Sequence, residues 1–251
     1  MAKRDSWWSI FLHEQYNERG SVDRLINWSW SEQDKLHIKN ESIFLCSVTL
    51  TWFLTTPNRF LRDKSTKALV TLLTNRLSVV SNLLKQFQNV DDPYVCERLY
   101  AVAYGCTLRS REDKEGLKTL SKWVYENIFQ DGSPPVHILL RDYARGIIEV
   151  ALAEKIESGV IRKKIEPPYK SQLPKRFPSD KEIKKYEFDY KDKNFKDHFW
   201  SQNSIIQSMQ LEFGDFGRYN LQNCLSHFEY KDKTYMKKLN NWAIKRIFGF
   251  G

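Results

Sequence analysis

Five histidines, four cysteines and 31 carboxylates are the raw material for metal or acid–base chemistry in this 251-residue sequence, and their spacing assembles little of it. His13-Glu14 opens the H-E-x-x-H pattern in which two histidines one helical turn apart hold zinc, but the second ligand position is Asn17. Cys46, Cys96, Cys106 and Cys224 are widely spaced with no C-x-x-C pair. They read as small apolar core residues, not as a zinc ribbon or a disulfide framework. No glycine is followed by lysine, which excludes the P-loop whose backbone amides and lysine cradle nucleotide phosphates. Asp215-Phe216-Gly217 spells the metal-binding tripeptide of kinases without the H-R-D loop, the Gly-rich loop or the V-A-I-K strand, so Gly214 and Gly217 read as a tight turn. His198 beside Asp197 and His227 near Cys224 could meet a distant partner in the fold, but ordinary surface or hydrogen-bonded core histidines are the default for such isolated residues. No G-x-S-x-G elbow and no nuclease-like carboxylate and lysine constellation stands out. No catalytic residue, metal or cofactor is expected.

One segment carries a positive signal. Between residues 181 and 200, Lys184 and Lys185 belong to a series of lysines interleaved with Tyr186, Phe188, Tyr190, Phe195, Phe199 and Trp200. Cations could meet phosphates there while rings stack on bases. Asp189, Asp192 and Asp197 interrupt that field, and the same aromatics would serve to cover a small core.

The elements that must position these residues are helical. From Val95 the apolar residues fall at Leu99, Val102, Ala103 and Cys106; Leu117, Leu120, Val124 and Ile128 repeat the pattern, as do Leu140, Tyr143, Ile147, Val150 and Ala151. This is the 3.6-residue stripe of half-buried helices. Asp92 before Pro93, and Ser133 before Pro134-Pro135, place N-cap residues ahead of prolines suited to a first turn, and Gly132 suits the end of the preceding helix. Helices are predicted near 6–18, 21–31, 40–55, 58–75, 77–89, 93–109, 114–130 and 135–156. Hairpins beginning near residues 41, 77 and 114 recur about every 35 residues, a period of helical-repeat arrays. The expected fold is mainly α, a helical-hairpin repeat array of the TPR or HEAT type. Trp7, Trp8, Trp28 and Trp30 fall at helical spacing and are expected in the core, the alternative being protein-contact anchors.

Charge and proline divide the chain. Residues 1–159 hold 21 Lys and Arg against 20 Asp and Glu, whereas residues 160–251 hold 19 against 11 and so carry almost all of the net charge of +9. Pro167, Pro168, Pro174 and Pro178 cluster between them. Proline removes the helical N–H donor and restricts the residue before it, so an extended connector is expected. The expected organisation is a helical-repeat domain at 1–157, a basic linker at 158–180 and a small basic, mostly helical subdomain at 181–251. The apolar end after Ile247 reads as truncated. No apolar run approaches the roughly 18 residues of a membrane span, and the stretch after Lys3-Arg4 forms no signal-peptide core, so a cytoplasmic protein is expected.

Several stretches in order resemble a known family. SWWSIFLHEQY (6–16), WFLTTPNRFLRDKSTKALVTLL (52–73), DPYVCERLYAVAYGC (92–106), LLRDYARGIIEVAL (139–152), EPPYKSQLP (166–174), GDFGRY (214–219) and NWAIKRIF (241–248) are similar to the C-terminal helical region of the STAND NTPases of AVAST antiphage defence. The resemblance implies a TPR-like sensor array that recognises a phage protein, the terminase or the portal, and drives oligomerisation and effector activation. This chain lacks the family's ATPase motif and effector, so it corresponds to the sensor alone, and association with an ATPase-bearing chain is one expected mode of action. Arg141, Asp142 and Arg145 share one helix with Tyr143, where they could touch a partner or stitch adjacent repeats. With Lys184, Lys185, Tyr186 and Arg218 they complete the candidate contacts. A nucleic-acid-binding module acting through residues 181–200 is the alternative.

Overall fold

The computed structural model describes residues 2–16, 20–157, 159–171, 179–183 and 219–220. Its elements are α1 (Ala2–Gln15), α2 (Ser21–Trp30), α3 (Asn40–Phe53), α4 (Arg59–Leu73), α5 (Leu77–Phe87), α6 (Pro93–Arg109), α7 (Lys114–Ile128), α8 (Ile138–Ala153), α9 (Arg162–Ile165) and α10 (Asp180–Ile183). No strand occurs among the described residues, and none of their helices is long and apolar enough to cross a membrane. The chain is mainly helical, and all eight helices expected between residues 6 and 156 form. The small, mostly helical subdomain expected at 181–251 lies outside the described residues, apart from residues 181–183, Tyr219 and Asn220.

Local chemistry starts these helices. The Asn58 side chain accepts from the Phe60 and Leu61 amides at the head of α4, and Asp92 accepts from Tyr94 and Val95 at the head of α6, as predicted. Each satisfies amide donors that a first turn leaves without helical partners. The prediction for α8 needs correction: Ser133 does not cap it. A residue before proline is pushed out of the helical region, and two consecutive prolines apply that constraint at both Ser133 and Pro134. The helix starts only at Ile138, where His137 Nδ1 accepts from the Leu140 amide at 3.4 Å. Gly132, at φ +77°, ends the turn before it in the left-handed region that glycine tolerates.

The stripes are buried as predicted. Val95, Leu99, Val102, Ala103 and Cys106 of α6 and Leu117, Leu120, Val124 and Ile128 of α7 belong to one core. Its packing follows a regular rule: α2 touches α4, α4 touches α6 and α6 touches α8, while α3 touches α5 and α5 touches α7. Small residues allow the close approaches. A side chain at Gly146 would stand 2.6 Å from the Tyr104 ring, and Ser47, Ser81 and Ser121 are buried on α3, α5 and α7. The hydroxyls of these three serines donate back to carbonyls of their own helices, so none of the three is stranded.

The connections between α2 and α3, α4 and α5, and α6 and α7 are also bonded to one another. Arg76 donates to the carbonyls of Lys35 and Ile38 and to the Asn40 side chain. One turn along, the Asn75 amide donates to Ser110 Oγ at 2.7 Å and the Leu77 amide to Asp113 Oδ2 at 2.8 Å. The other oxygen of Asp113 accepts from Gly116 and caps α7, so one carboxylate serves two helix starts.

Two compact units divide the chain, Met1–Leu173 and Pro174–Gly251. The boundary expected after residue 157 therefore falls inside the first unit. Residues 159–171 are not a free connector: Ile165 is buried, and Tyr169 lies 6.2 Å from the Phe129 ring and donates from its hydroxyl to the Ile165 carbonyl. Lys164 Nζ and Ser171 Oγ donate to the carbonyls of Gln130 and Pro134. Proline forbids helix there, but it does not forbid burial of the side chains between.

Candidate functional site

Arg141, Asp142 and Arg145 do lie on one helix, but the first and third are already engaged. The Arg141 guanidinium sits 4.6 Å over the Tyr169 ring and donates to the Pro135 carbonyl, and Arg145 donates to Glu149 at 2.7 Å. That hydrogen bond, with a smaller contribution from Tyr169, holds the Arg145 guanidinium above its usual range. Asp142 alone of the three is exposed. Tyr143 meets Tyr104 of α6 with ring centroids 6.2 Å apart and planes tilted by 35°. Lys184, Lys185, Tyr186 and Arg218 lie outside the described residues.

A second arginine and tyrosine cluster, between α4 and α6, has no signature in the sequence. Arg62 lies 4.6 Å over the Tyr94 ring, and Arg98 Nε donates to the Tyr94 hydroxyl at 2.9 Å. Asp63 ties the cluster together, 3.8 Å from Arg59 and 3.9 Å from Arg98. Farther along α4, Lys64 stands over Tyr16 and Lys67 over Trp30. A hydrogen bond to Tyr16 raises the Lys64 ammonium above the ordinary lysine range. Each cation on a ring contributes on the order of 0.5–1 kcal/mol at exposed sites. Arg62 and Tyr94 are 32 positions apart, so only the packing of α4 on α6 brings them together.

These cations expose a segregation that the near-neutral total conceals. α2, α4, α6 and α8 together carry nine Lys or Arg against five Asp or Glu, whereas the connections from α2 onward, including the residues after α8 to 159, carry five against nine. Within residues 1–159 the largest excess of basic charge therefore sits on the even-numbered helices. The tryptophans divide: Trp8 and Trp28 pack against the core as expected, and Trp7 and Trp30 do not. Trp7 and Trp30 are exposed, and Trp8 is half-buried with its indole N–H donating to Trp52 O and Thr55 Oγ1.

The described residues also hold three free cysteines and a cleft. No three His, Cys, Asp or Glu side chains gather into a metal site there. Burial raises the thiols of Cys46, Cys96 and Cys106, which leaves them protonated and weakly nucleophilic. A cleft of about 300 Å³ between α5, α6, α7 and α8 is lined by Leu84, Tyr100, Trp123 and Leu140, and burial keeps the Tyr100 hydroxyl protonated. No family model, curated protein or solved structure matches the chain. The geometry offers a surface of half-exposed cations fixed on aromatic rings, which suits contact with another macromolecule.

Proposed function

We propose that the helical unit is a repeat-built recognition module, the sensor part of an antiphage system of the STAND type, which binds a phage packaging or portal protein and carries no catalysis of its own. The observation that supports it most is the recurrence of one contact rule from hairpin to hairpin. Even helices meet even helices and odd meet odd, and the turns bond one another across 35 and 36 positions at Asn75 to Ser110 and Leu77 to Asp113. Stacked hairpins of that kind form a helical-repeat array of the TPR or HEAT type, whose broad surface reads a folded partner through many side chains. Fixed arginines and exposed aromatics are the residues that dominate such contacts.

In this reading the module works in the cytoplasm and passes its signal by associating with an ATPase-bearing chain. Co-expression of the full chain with a large terminase subunit or a portal protein, followed by size-exclusion chromatography, tests it. A stoichiometric complex with either is expected. Elution of the chain free of both, under conditions where each phage protein is folded, overturns the reading.

A further inference from the structure

We infer that the outer face of α4, with the flanking Trp30 and Arg98, is a docking surface for an acidic protein segment that carries an apolar side chain. The inference deepens the proposed recognition role and rests on its premise that the ligand is a protein.

Helical spacing sets one row of α4 on the surface. Phe60, Asp63, Lys64 and Lys67 are separated by three, one and three positions and so share a face. Phe60 is 71% exposed and Trp30, which Lys67 reaches from α4, is 40% exposed. Large apolar side chains left in water on a face that also carries cations are a typical anchor for a partner's apolar residue. Arg59 and Lys67 are exposed, the first 3.8 Å from Asp63, and Arg98 is held on Tyr94, so the cations around the anchors reach the surface and are partly fixed in place. A guanidinium held on a ring loses less side-chain freedom when it meets a carboxylate, which favours binding by prior organisation.

The same details favour a protein over a nucleic acid. The Tyr16, Tyr94 and Trp30 rings already have cations over a face, where a base would have to stack. Asp63 stands inside the patch, paired with Arg59 and Arg98, and would oppose a continuous run of phosphates. Discrete carboxylates spaced along a peptide can avoid it. Charge complementarity therefore selects an acidic segment, and Phe60 and Trp30 give it an apolar foothold.

The test uses the full chain and a fluorescent peptide of Glu with interspersed Leu, the same peptide with Gln for Glu, and a single-stranded oligonucleotide of equal charge. The acidic peptide is expected to bind, more weakly as salt is raised, and the Gln peptide not to bind. The double variant Arg59→Glu with Lys67→Glu changes exposed residues and should keep the wild-type circular dichroism and melting transition. It is expected to weaken the peptide about tenfold, the size of removing two exposed ion pairs and replacing each attraction with a repulsion. The matched variant Lys85→Glu with Lys118→Glu, on α5 and α7, is expected to bind as the wild type does. Phe60→Ser supplies an uncharged check and should also weaken binding. Equal loss in both double variants, or tighter binding of the oligonucleotide through Arg59 and Lys67, overturns the assignment. A phage-protein complex that survives Arg59→Glu with Lys67→Glu unchanged removes this face but leaves the recognition role intact. Peptide binding through these residues, with no terminase or portal complex, keeps the face and removes the antiphage reading.

Discussion

Two arginine and tyrosine clusters decorate the even-numbered helices, and they are completed in different ways. Between α4 and α6 the ring, Tyr94, belongs to the helix that carries Arg98, and the cluster forms wherever those two helices pack. On α8 the ring over Arg141 is Tyr169, which arrives only because residues 159–171 fold back across the end of the hairpin. The first cluster leaves its neighbourhood open, with Arg59, Phe60 and Lys67 exposed. The second is covered by the chain itself. Similar chemistry is thus left open to solvent at one place and spent on closing the fold at the other, so residue type alone does not tell the two apart.

The comparison can be broken most strongly at Ile165, whose fully buried side chain holds the returning segment. Ile165→Ala should cost about 2–4 kcal/mol in denaturant unfolding. Hydrogen exchange should speed up through 159–171 and α8 and leave α4 unchanged. Uniform acceleration would mean that the two clusters are not independent. Asp113→Ala comes next, at about 1–3 kcal/mol, because it uncaps α7 and strands the Leu77 amide; Asp113→Asn should recover part of the loss. Removing one hydroxyl from each cluster sharpens the contrast further. Tyr169→Phe and Tyr94→Phe should each cost about 0.5–1.5 kcal/mol, but only the first should loosen 159–171 in hydrogen exchange.

The smallest effect is a dependence on pH. The Lys64 pKa is raised in the folded protein, so its contribution is complete at neutral pH and is lost as pH climbs through and beyond the ordinary lysine range. Wild type should lose slightly more stability over that alkaline window than Lys64→Met does, as read from melting temperatures. Identical profiles would show that the cation over Tyr16 contributes nothing.

How much of this is legible in the sequence follows from the range of each signal. The stripe from Val95 to Cys106 and the Asp92 cap depend on neighbours within a few positions, and both read correctly. The start of α8 misreads because two adjacent prolines act on the residues before them, and histidine is an unusual cap. The packing of 159–171 is hidden for a different reason. Ile165 and Tyr169 are too few to form a pattern, and the prolines around them signal loss of helix, a property unrelated to burial. Arg62 with Tyr94 and Arg141 with Tyr169 are 32 and 28 positions apart, and such pairs become visible only once the helices that carry them are placed.

The bonded turns have a mechanical consequence. Arg76 and Asp113 fasten successive hairpins along one edge with charged hydrogen bonds, while elsewhere the same hairpins meet mainly through side-chain packing such as Trp52 against Phe87, with the longer Asp63–Arg98 pair of 3.9 Å between α4 and α6. Directional bonds resist separation over a few tenths of an ångström, whereas apolar surfaces can slide. The unit should behave like a book bound along its spine: neighbouring hairpins fan about the line of turns, and the spacing of the cations on α4, α6 and α8 widens or narrows with the angle.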